Sequence, residues 1–506
     1  MSNYSIKTLE GKLVLAATIL ASGMAFLDGT VVNIAIPVIQ ESLDATLGQM
    51  QWVVNSYVLI LASLILISGS LGDRYGRRKI FVYGIGLFVL ASFLSSVSQT
   101  VEQLIAFRTI QGIGAAMMIP GSLSIINTAF DSREHGKAIG YWSGFAGGVA
   151  ALGPFLGGWL VQTFGWPSVF YINIPIGLLA LFLTIRYVPE TSNPNSKQLD
   201  FMGTILLLTG LLGISYALIE APVQGFFNST VPSSGLLGIA ALIAFVFVEK
   251  RTKQPLVPFG IFKSSLVTGA NLITFCLYLA LSAIIFFLIL NLQQLQNYSP
   301  LAAGMSMLPS ILLITFLSGY GGAISDKYGP RIPLIVGPLI VGLGIVTMIF
   351  PGTNANYFTA FLPGQILFGL GMSLVVAPVT KSALAVDVQH SGTASGVNNA
   401  VSRVSALLAV ALLGAVMSTS FSSHLISSIN DAKIVQSQKE QIIEQKNKLG
   451  AIQIPDSFDP TAKNIAEKSV DDAFLYAFRV VMGISAFLAF LSSVIAYLMI
   501  HNKKHN

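Results

Sequence analysis

Apolar runs recur along the whole chain, separated by charged or Gly/Pro-rich segments. Each run has the roughly 20 residues that an α-helix needs to cross about 30 Å of hydrocarbon. The pattern predicts helices at roughly 13–36, 50–72, 80–97, 103–126, 138–161, 168–188, 201–220, 232–249, 267–292, 302–324, 332–350, 357–379, 392–419 and 474–499. We therefore expect an all-α polytopic membrane protein with fourteen transmembrane helices.

Composition narrows the class of protein further. Of 506 residues, 53% are hydrophobic and 10% are charged, against roughly 25% charged residues in soluble domains. Such a chain cannot cover a water-facing surface, which excludes a soluble enzyme. The sequence also lacks a G-x-x-x-x-G-K-[ST] phosphate-binding loop, so an ATP-driven pump is disfavoured. We expect no enzymatic activity and no cofactor.

The positions of Lys and Arg predict the orientation. With the N-terminus inside, nineteen of the twenty-eight Lys and Arg fall on the inner side, as the cytoplasmic loops of membrane proteins require. Both termini are then cytoplasmic in a cell (plasma or inner) membrane. The net charge of +6 follows from this orientation, so no nucleic-acid partner is expected. The long segment 420–473 is placed outside as a solvated cap or flexible loop, with a polar surface helix or binding role at 431–449 as the alternative.

An internal repeat organises the predicted helices. Segments 69–78 and 322–331 share the pattern Gly-x-x-x-Asp-(Arg/Lys)-Tyr-Gly-x-Arg. Segment 111–114 matches 368–371 and segment 136–140 matches 392–396, all at offsets of 253 to 257 residues. This offset maps the second helix onto the tenth, so the repeat unit is six helices and two are inserted. We predict a six-helix bundle at 1–190, two linker helices at 191–262 and a second bundle at 263–506.

Parallel six-helix repeats resemble the major facilitator superfamily. Leu27-Asp28-Gly-Thr30-Val-Val-Asn33-Ile-Ala-Ile-Pro37 looks like the first-helix motif of its fourteen-helix drug:proton antiporter family. Segments 69–81, 108–114 and 153–158 resemble the loop, arginine and antiporter motifs. One departure is Val149, where the antiporter motif commonly has glycine. The resemblance implies the fold of that superfamily and proton-driven export.

Asp28 is the one acid deep in a predicted helix. A carboxylate in lipid is costly unless it is protonated, paired or facing water, so such a residue is a functional candidate. Counted along their helices, Asp28 and Arg108 lie at similar depth. The resemblance implies that helices 1 and 4 line one cavity, where the two can pair and exchange a proton with solvent. The alternative is a static ion pair that orients the first helix.

The second half offers different chemistry, because Gln365 aligns with Arg108 and no acid aligns with Asp28. Proton coupling is therefore predicted for the first half alone. The residues predicted to line the substrate cavity or to gate it are Asn33, Gln111, Gln365, Asn398, Asn399 and Arg403. For Arg403, helix packing is an equal alternative.

Two further motifs carry predicted conformational roles. The inner loops resemble the cytoplasmic latch of the superfamily, with a weaker twin in the second half: Asp73, Arg74, Gly76, Arg77, Arg78, Asp326 and Arg331. A role as positive-inside anchors is the alternative for these residues. Gly153, Pro154, Gly157 and Gly158 permit close helix contact and a bend. The resemblance implies that this helix lines the interface between the halves and limits leak.

The leading functional prediction is a proton-coupled secondary exporter of amphipathic or hydrophobic compounds that acts in multidrug efflux by alternating access. An exporter of a lipid or of a specific metabolite, and a non-coupled facilitator, remain open. The expected partners are protons, a small-molecule substrate and the lipid bilayer, and a monomer is expected. No metal site is predicted, since His135 and His390 lie in matching inner loops as surface residues.

Overall fold

The computed structural model describes residues 4–131, 134–192, 199–252, 254–386 and 391–501. Five of the nineteen Lys and Arg that were counted on the inner side lie outside these ranges, namely Arg133, Lys197, Lys253, Lys503 and Lys504. His390 lies outside them as well.

The described chain is helical almost throughout. Its main helices are α1 Leu9–Ser42, α2 Leu47–Tyr75, α3 Arg77–Ser96, α4 Val101–Ala129, α5 His135–Phe164, α6 Ser168–Tyr187, α7 Phe201–Gln224, α8 Thr230–Arg251, α9 Ser265–Leu295, α10 Pro300–Tyr328, α11 Arg331–Thr347, α12 Leu362–Ala383, α13 Ala394–Asp431 and α14 Pro460–Met499. Within the described ranges, thirteen are long and apolar enough to cross a membrane, and α11 is shorter, with 17 residues. The all-α polytopic prediction is confirmed, and each predicted span has its helix.

Glycines separate the helices in both copies of the repeated loop. Gly76, between α2 and α3, has φ 109°, and Gly329, between α10 and α11, has φ 83°. Residues with a Cβ rarely adopt this left-handed region, whereas glycine enters it freely. The repeated Tyr-Gly pair therefore has the same role in both halves, because its glycine permits a tight reversal of the chain after a long helix.

The helices divide into two compact units. Unit 1 comprises Met1–Ala35, Val53–Gly213 and Leu237–Gly260, and unit 2 comprises Ile36–Trp52, Ile214–Leu236 and Ile261–Asn506. Helices α1, α2, α7 and α8 contribute residues to both units. The division at 1–190, 191–262 and 263–506 stays a prediction from the repeat.

Close helix contacts in unit 1 occur at the glycines of α4. A Cβ on Gly112 would lie 2.7 Å from the carbonyl oxygen of Tyr57 on α2, and a Cβ on Gly114 would lie 2.8 Å from that of Gly84 on α3. Real Cβ atoms do not approach this closely, so α4 can pack here only because these positions are glycine. Small residues provide such contacts in membranes, where lipid gives little hydrophobic drive for helix association.

Unit 2 repeats this arrangement at the aligned positions. A Cβ on Gly369 of α12 would lie 2.8 Å from the Cα of Ser310 on α10, and a Cβ on Gly371 would lie 2.7 Å from the carbonyl oxygen of Gly337 on α11. The matched glycines therefore perform the same packing task in each half, which supports an internal repeat in the packing as well as in the sequence.

The segment predicted as a long outer loop, 420–473, is largely helical, contrary to the flexible-loop prediction. Helix α13 continues to Asp431, a short helix spans Gln436–Glu444, and α14 begins at Pro460. The predicted polar helix at 431–449 is thus present in shortened form. Asp459 accepts from the backbone N–H of Thr461 and Ala462, both at 3.0 Å, and so caps α14 well before its apolar run.

Buried apolar side chains anchor segment 420–473 within unit 2. Ile442 and Leu449 are fully buried. The backbone oxygen of Lys448 accepts from Nε2 of Gln40 at 2.9 Å, and Nζ of Lys448 pairs with Asp44. These contacts explain why a segment with a polar composition is ordered.

Candidate functional site

Asp28, on α1, is fully buried in unit 1 and receives hydrogen bonds from three other side chains. Its Oδ2 pairs with Nη1 of Arg108 on α4. Its Oδ1 accepts from Nε2 of Gln111 at 2.9 Å and from Nδ2 of Asn173 at 3.0 Å. A charged donor and two amides thus satisfy the carboxylate, so the structure brings together the predicted pair of Asp28 and Arg108.

Arg108 is itself 1% exposed and has further partners. Its Nη1 also donates to Oε1 of Gln111 at 2.7 Å, and its Nε donates to the carbonyl oxygen of Val53 at 3.3 Å. The guanidinium carbon lies 4.3 Å from the centre of the Tyr57 ring, a cation–π distance. The cation is therefore held on several sides, and Asp28 is its charged partner.

Asn173, on α6, was missed by the sequence reasoning. Its Nδ2 also donates to Oγ of Ser92 at 3.0 Å, and this hydroxyl donates to the carbonyl oxygen of Phe170 at 2.9 Å. Helix α6 is interrupted at Ile172. Pro175 follows in the next turn and has no N–H to donate to the preceding turn. The sequence did offer a signal for Asn173, since it is a polar residue two positions before a proline in an apolar run.

The pair of Asp28 and Arg108 links α1 to α4 in the interior of unit 1. Loss of either charge would leave the other buried without its partner, and an unpaired buried charge is costly. The two side chains therefore depend on each other.

Helix α5 packs against α1 next to Asp28 through the predicted antiporter motif. A Cβ on Gly153 would lie 1.9 Å from Oγ1 of Thr30, and a Cβ on Gly157 would lie 3.1 Å from the carbonyl oxygen of Val31. Oγ1 of Thr30 also donates to the carbonyl oxygen of Ala150 at 3.3 Å. Pro154 and Gly158 are buried in the same helix. The motif therefore fixes the spacing between α5 and the helix that carries Asp28.

The latch residues of the first half lie around the α2–α3 turn. Nε of Arg77 pairs with Oδ1 of Asp73 at 2.8 Å, and Oγ of Ser124 donates to the same oxygen at 3.3 Å. Arg74 is exposed, with its guanidinium carbon 5.7 Å from the centre of the Tyr75 ring. Asp73 thereby links α2, α3 and α4 at one end of unit 1.

Glu190 completes this turn and was not predicted. Its carboxylate accepts from the backbone N–H of Arg78 at 3.2 Å and of Lys79 at 3.1 Å, at the N-terminus of α3. The side chain of Arg78 donates to the carbonyl oxygen of Val188 at 3.4 Å. A Cβ on Gly76 would lie 2.8 Å from Oε1 of Glu190. An anion at a helix N-terminus is favourable, and glycine leaves room for it.

The twin loop in unit 2 is arranged differently. Asp326 pairs with Lys381 on α12, and these side chains are 61% and 69% exposed. Arg331 donates to the carbonyl oxygen of Tyr497 at 3.3 Å. Exposed ion pairs contribute little energy, so this ion pair stabilises the second loop only slightly.

The predicted cavity residues have separate surroundings in the two units. In unit 1, Gln111 belongs to the Asp28 network, whereas Asn33 donates to the carbonyl oxygen of Gly29 on its own helix at 3.0 Å. Gln365 is the counterpart of Arg108 in unit 2, where it is 1% exposed and its Nε2 lies 3.7 Å from Sδ of Met307. The aligned position is therefore buried in both halves, but it carries a charge only in the first.

The remaining three residues lie on α13. Asn398 donates to Oδ1 of Asn271 at 3.2 Å and to Oγ1 of Thr274 at 3.0 Å on α9. Asn399 is exposed and donates to the carbonyl oxygen of Ser395 at 3.1 Å, and Arg403 is half-buried. Asn398 thus bonds to buried side chains of α9, whereas Asn399 bonds within its own helix, so the two adjacent asparagines differ in surroundings.

The helices of the described residues, thirteen of them long and apolar enough to cross a membrane, define a multi-pass membrane protein. Residues 18–410 match the model of the Major Facilitator Superfamily, and the chain belongs to this family. It is 33% identical over 443 residues to the multidrug resistance protein Stp of Mycobacterium tuberculosis (strain CDC 1551 / Oshkosh), covering 86% of this chain and 82% of Stp. It is 36% identical over 418 residues to the puromycin resistance protein pur8 of Streptomyces alboniger, covering 81% and 82%.

Solved structures agree on the fold. A bacterial homologue of the human lysosomal transporter Spinster, crystallised in an inward-facing and unoccupied conformation, superposes with a TM-score of 0.65 at 20% identity, over 97% of this chain and 98% of that one. The family and fold predicted from the motifs are confirmed.

Proposed function

We propose that this protein is a proton-coupled secondary exporter of amphipathic or hydrophobic compounds. The observation that carries the proposal is the fully buried carboxylate of Asp28, paired with Arg108 and bonded to Gln111. A membrane helix retains such a charge at a cost, which a transport cycle explains and simple packing does not. The resistance proteins among the relatives support export rather than uptake.

The proton acts at Oδ2 of Asp28. In the ionised state this oxygen accepts from Nη1 of Arg108, which ties α1 to α4. When a proton arrives from the outer side, the attraction is lost, and Arg108 keeps its bonds to Gln111 and Val53. The buried cation then favours a conformation that gives it water or another partner, and the return of the proton to the inner side restores the pair.

The other motifs serve the conformational cycle. The α2–α3 turn, held by Asp73 and Glu190, stabilises one conformation until the halves move. The contact of Gly153 with Thr30 couples α5 to α1, so that movement of the Asp28 helix is transmitted. In the second half, Asn398 and Arg403 on α13 are the polar side chains that contact the substrate or form part of a gate.

The orientation follows from the positive-inside distribution, with both termini in the cytoplasm of a cell membrane. We propose a monomer, with protons and a small molecule as its partners. The cargo class rests on the resistance proteins among the relatives and on the predicted cavity residues, which are neutral amides apart from Arg403. Export of a lipid or of a specific metabolite would use the same proton site. The substrates that the protein transports distinguish these alternatives from drug export.

The test is transport in proteoliposomes that contain purified protein. Addition of a substrate to the wild type is expected to release protons, and a pH gradient is expected to drive accumulation of the substrate. Asp28→Asn is expected to fold and to lose both effects. Glu102→Gln is the matched control, since it removes an exposed acid from the first turn of α4.

The substrate panel contains a lipophilic cation, a neutral drug, puromycin and a labelled lipid. Gradient-driven transport of drugs but not lipid supports multidrug efflux. Equal transport by wild type and Asp28→Asn, without proton movement, would show a non-coupled facilitator and refute the proposal.

A further inference from the structure

The two inserted helices carry a pair of acids that the transport mechanism does not use. Glu249, in the last turn of α8, is 2% exposed. Asp200 immediately precedes α7, where its Oδ1 accepts from the backbone N–H of Gly203 at 2.8 Å and its backbone oxygen accepts from Thr204. Both belong to unit 1, and one oxygen of each carboxyl group lies beside Gly203. Asp28 lies in a different hydrogen-bond network, so Glu249 and Asp200 form a separate pair of acids.

Each carboxyl group has one oxygen with a donor and one without. Oε2 of Glu249 accepts from the backbone N–H of Val257 at 2.9 Å. Oε1 of Glu249 and Oδ2 of Asp200 are buried and have no hydrogen-bond donor among the described residues. A Cβ on Gly203 would lie 2.5 Å from the first of these oxygens and 2.8 Å from the second. The two oxygens without donors therefore converge above a residue that has no side chain.

No cation is available to neutralise this site from the surrounding described segments. Asp200 is the charged group that faces Glu249. Lys250 and Arg251 follow Glu249 on α8 but are exposed, and segment 254–262, which supplies Val257, contains no charged residue. Two ionised carboxylates cannot remain together in such surroundings, since like charges at close range disfavour double ionisation.

We propose that Glu249 and Asp200 share one proton and form a second proton-binding site, outside the Asp28 network. A proton on Oε1 of Glu249 makes this atom a donor to Oδ2 of Asp200, so one proton satisfies both oxygens. The shared proton ties the beginning of α7 to the end of α8 and to the segment that follows. Its loss at alkaline pH leaves two carboxylates that repel each other, and the two helix ends separate.

This site gives the inserted helices a proton-binding role that goes beyond the proposed export function. The proton belongs to the pair as a whole, as in other coupled carboxyl groups, and neither residue titrates alone. Because Glu249 lies outside the Asp28 network, Glu249→Gln is expected to preserve proton release upon substrate addition. Failure of the Asp28 test therefore leaves this inference standing, and the reverse also holds.

The first measurement is the thermal midpoint of unfolding of the purified full-length protein in detergent across neutral and alkaline pH. The sign follows from the bound proton: the wild type loses stability as pH rises and the pair ionises. Glu249→Gln carries a permanent N–H donor for Asp200, so its alkaline loss is expected to disappear. Glu220→Gln is the matched control on α7, because Glu220 already accepts from Trp52 at 3.1 Å and Gln224 at 2.9 Å, and it is expected to keep the wild-type profile.

The second measurement is infrared absorption at neutral pH, where ordinary carboxyl groups are ionised. The wild type is expected to show a protonated-carboxyl band that Glu249→Gln lacks and Glu220→Gln retains. Gly203→Ala places a methyl group between the oxygens and is expected to weaken this band. Identical spectra and pH profiles for wild type and Glu249→Gln would overturn the inference. Recovery of wild-type stability by Na⁺ or K⁺ at alkaline pH, without the band, would also overturn it in favour of a metal-cation site.

Discussion

Asn173 donates to Oδ1 of Asp28 at 3.0 Å, the oxygen that Arg108 does not hold. The two oxygens of this carboxylate are thus stabilised by different elements, Oδ2 by the cation on α4 and Oδ1 by amides from α4 and α6. The charge and the hydrogen bonds that act on Asp28 are therefore separable by mutation.

Asn173→Ala is expected to lower the stability of the folded protein. A hydrogen bond to a charged group contributes about 1.5–3 kcal/mol, and Asn173 donates such a bond to the buried carboxylate of Asp28. The thermal midpoint of unfolding in detergent should therefore fall, while the ion pair between Asp28 and Arg108 remains.

Asn33→Ala is the control for this loss of stability. Asn33 also lies on a helix of unit 1, but it is partly exposed and donates to the carbonyl oxygen of Gly29 in its own helix. Its replacement should change the thermal midpoint much less. Equal midpoints for Asn173→Ala and wild type would mean that the bond from Asn173 to Asp28 does not stabilise the fold.

Arg108 and Asp28 are expected to be strongly non-additive in stability. Arg108→Gln leaves a buried carboxylate without its cation, and such a loss costs about 3–5 kcal/mol. Adding Asp28→Asn removes the orphan charge, so the double variant should unfold at a higher temperature than Arg108→Gln alone. Thermal unfolding of the two single variants and the double variant in detergent measures this coupling. Additive changes in stability would contradict a buried charge pair.

The sequence predicted the elements of this site better than its supporting contacts. Asp28 and Arg108 stood out because charges are rare in apolar runs, and the depth count placed them level. Asn173 and Glu190 did not stand out, because a neutral amide costs less in an apolar run and Glu190 lies after a predicted helix, where acids are common. Their roles arise from contacts more than 80 residues apart along the chain, which periodicity does not report.

The fold shows the same division between local and long-range signals. Apolar length predicted each spanning helix, and the repeat aligned Gly112 with Gly369, but the close helix contacts at these two glycines appear only in the structure. The early start of α14 at Pro460 was missed because its first turns are polar outside and bury small residues such as Ala466 inside. A hydropathy window averages over such a face, whereas packing against neighbours stabilises it.

Replacement of Asp73 by Asn is expected to slow turnover while proton coupling survives. Asp73 accepts from Arg77 and Ser124, so a neutral side chain weakens the link among three helices without touching Asp28. Glu190→Gln should act in the same direction, because it removes the negative charge at the N-terminus of α3. Substrate efflux rates at saturating substrate and the ratio of protons to substrate measure the two properties.

Asp326→Asn is the matched change in the second half. Asp326 and Lys381 are largely exposed, so this ion pair contributes at most about 1 kcal/mol, and turnover should fall much less than in Asp73→Asn. Equal turnover of Asp73→Asn and wild type would argue that the loop only orients the protein in the membrane.

Gly153→Ala and Gly148→Ala form a closely matched pair on α5. An added Cβ at Gly153 would lie 1.9 Å from Oγ1 of Thr30, whereas no atom lies within 4 Å of one at Gly148. Overpacking typically costs about 1–3 kcal/mol, so Gly153→Ala should lower the thermal midpoint and Gly148→Ala should not. Because Thr30 follows Asp28 on α1, the displaced helix should also loosen coupling, seen as proton leak without substrate. If Gly153→Ala is destabilised but remains tightly coupled, the motif acts in packing alone. If both variants leak equally, the contact with Thr30 is not the cause.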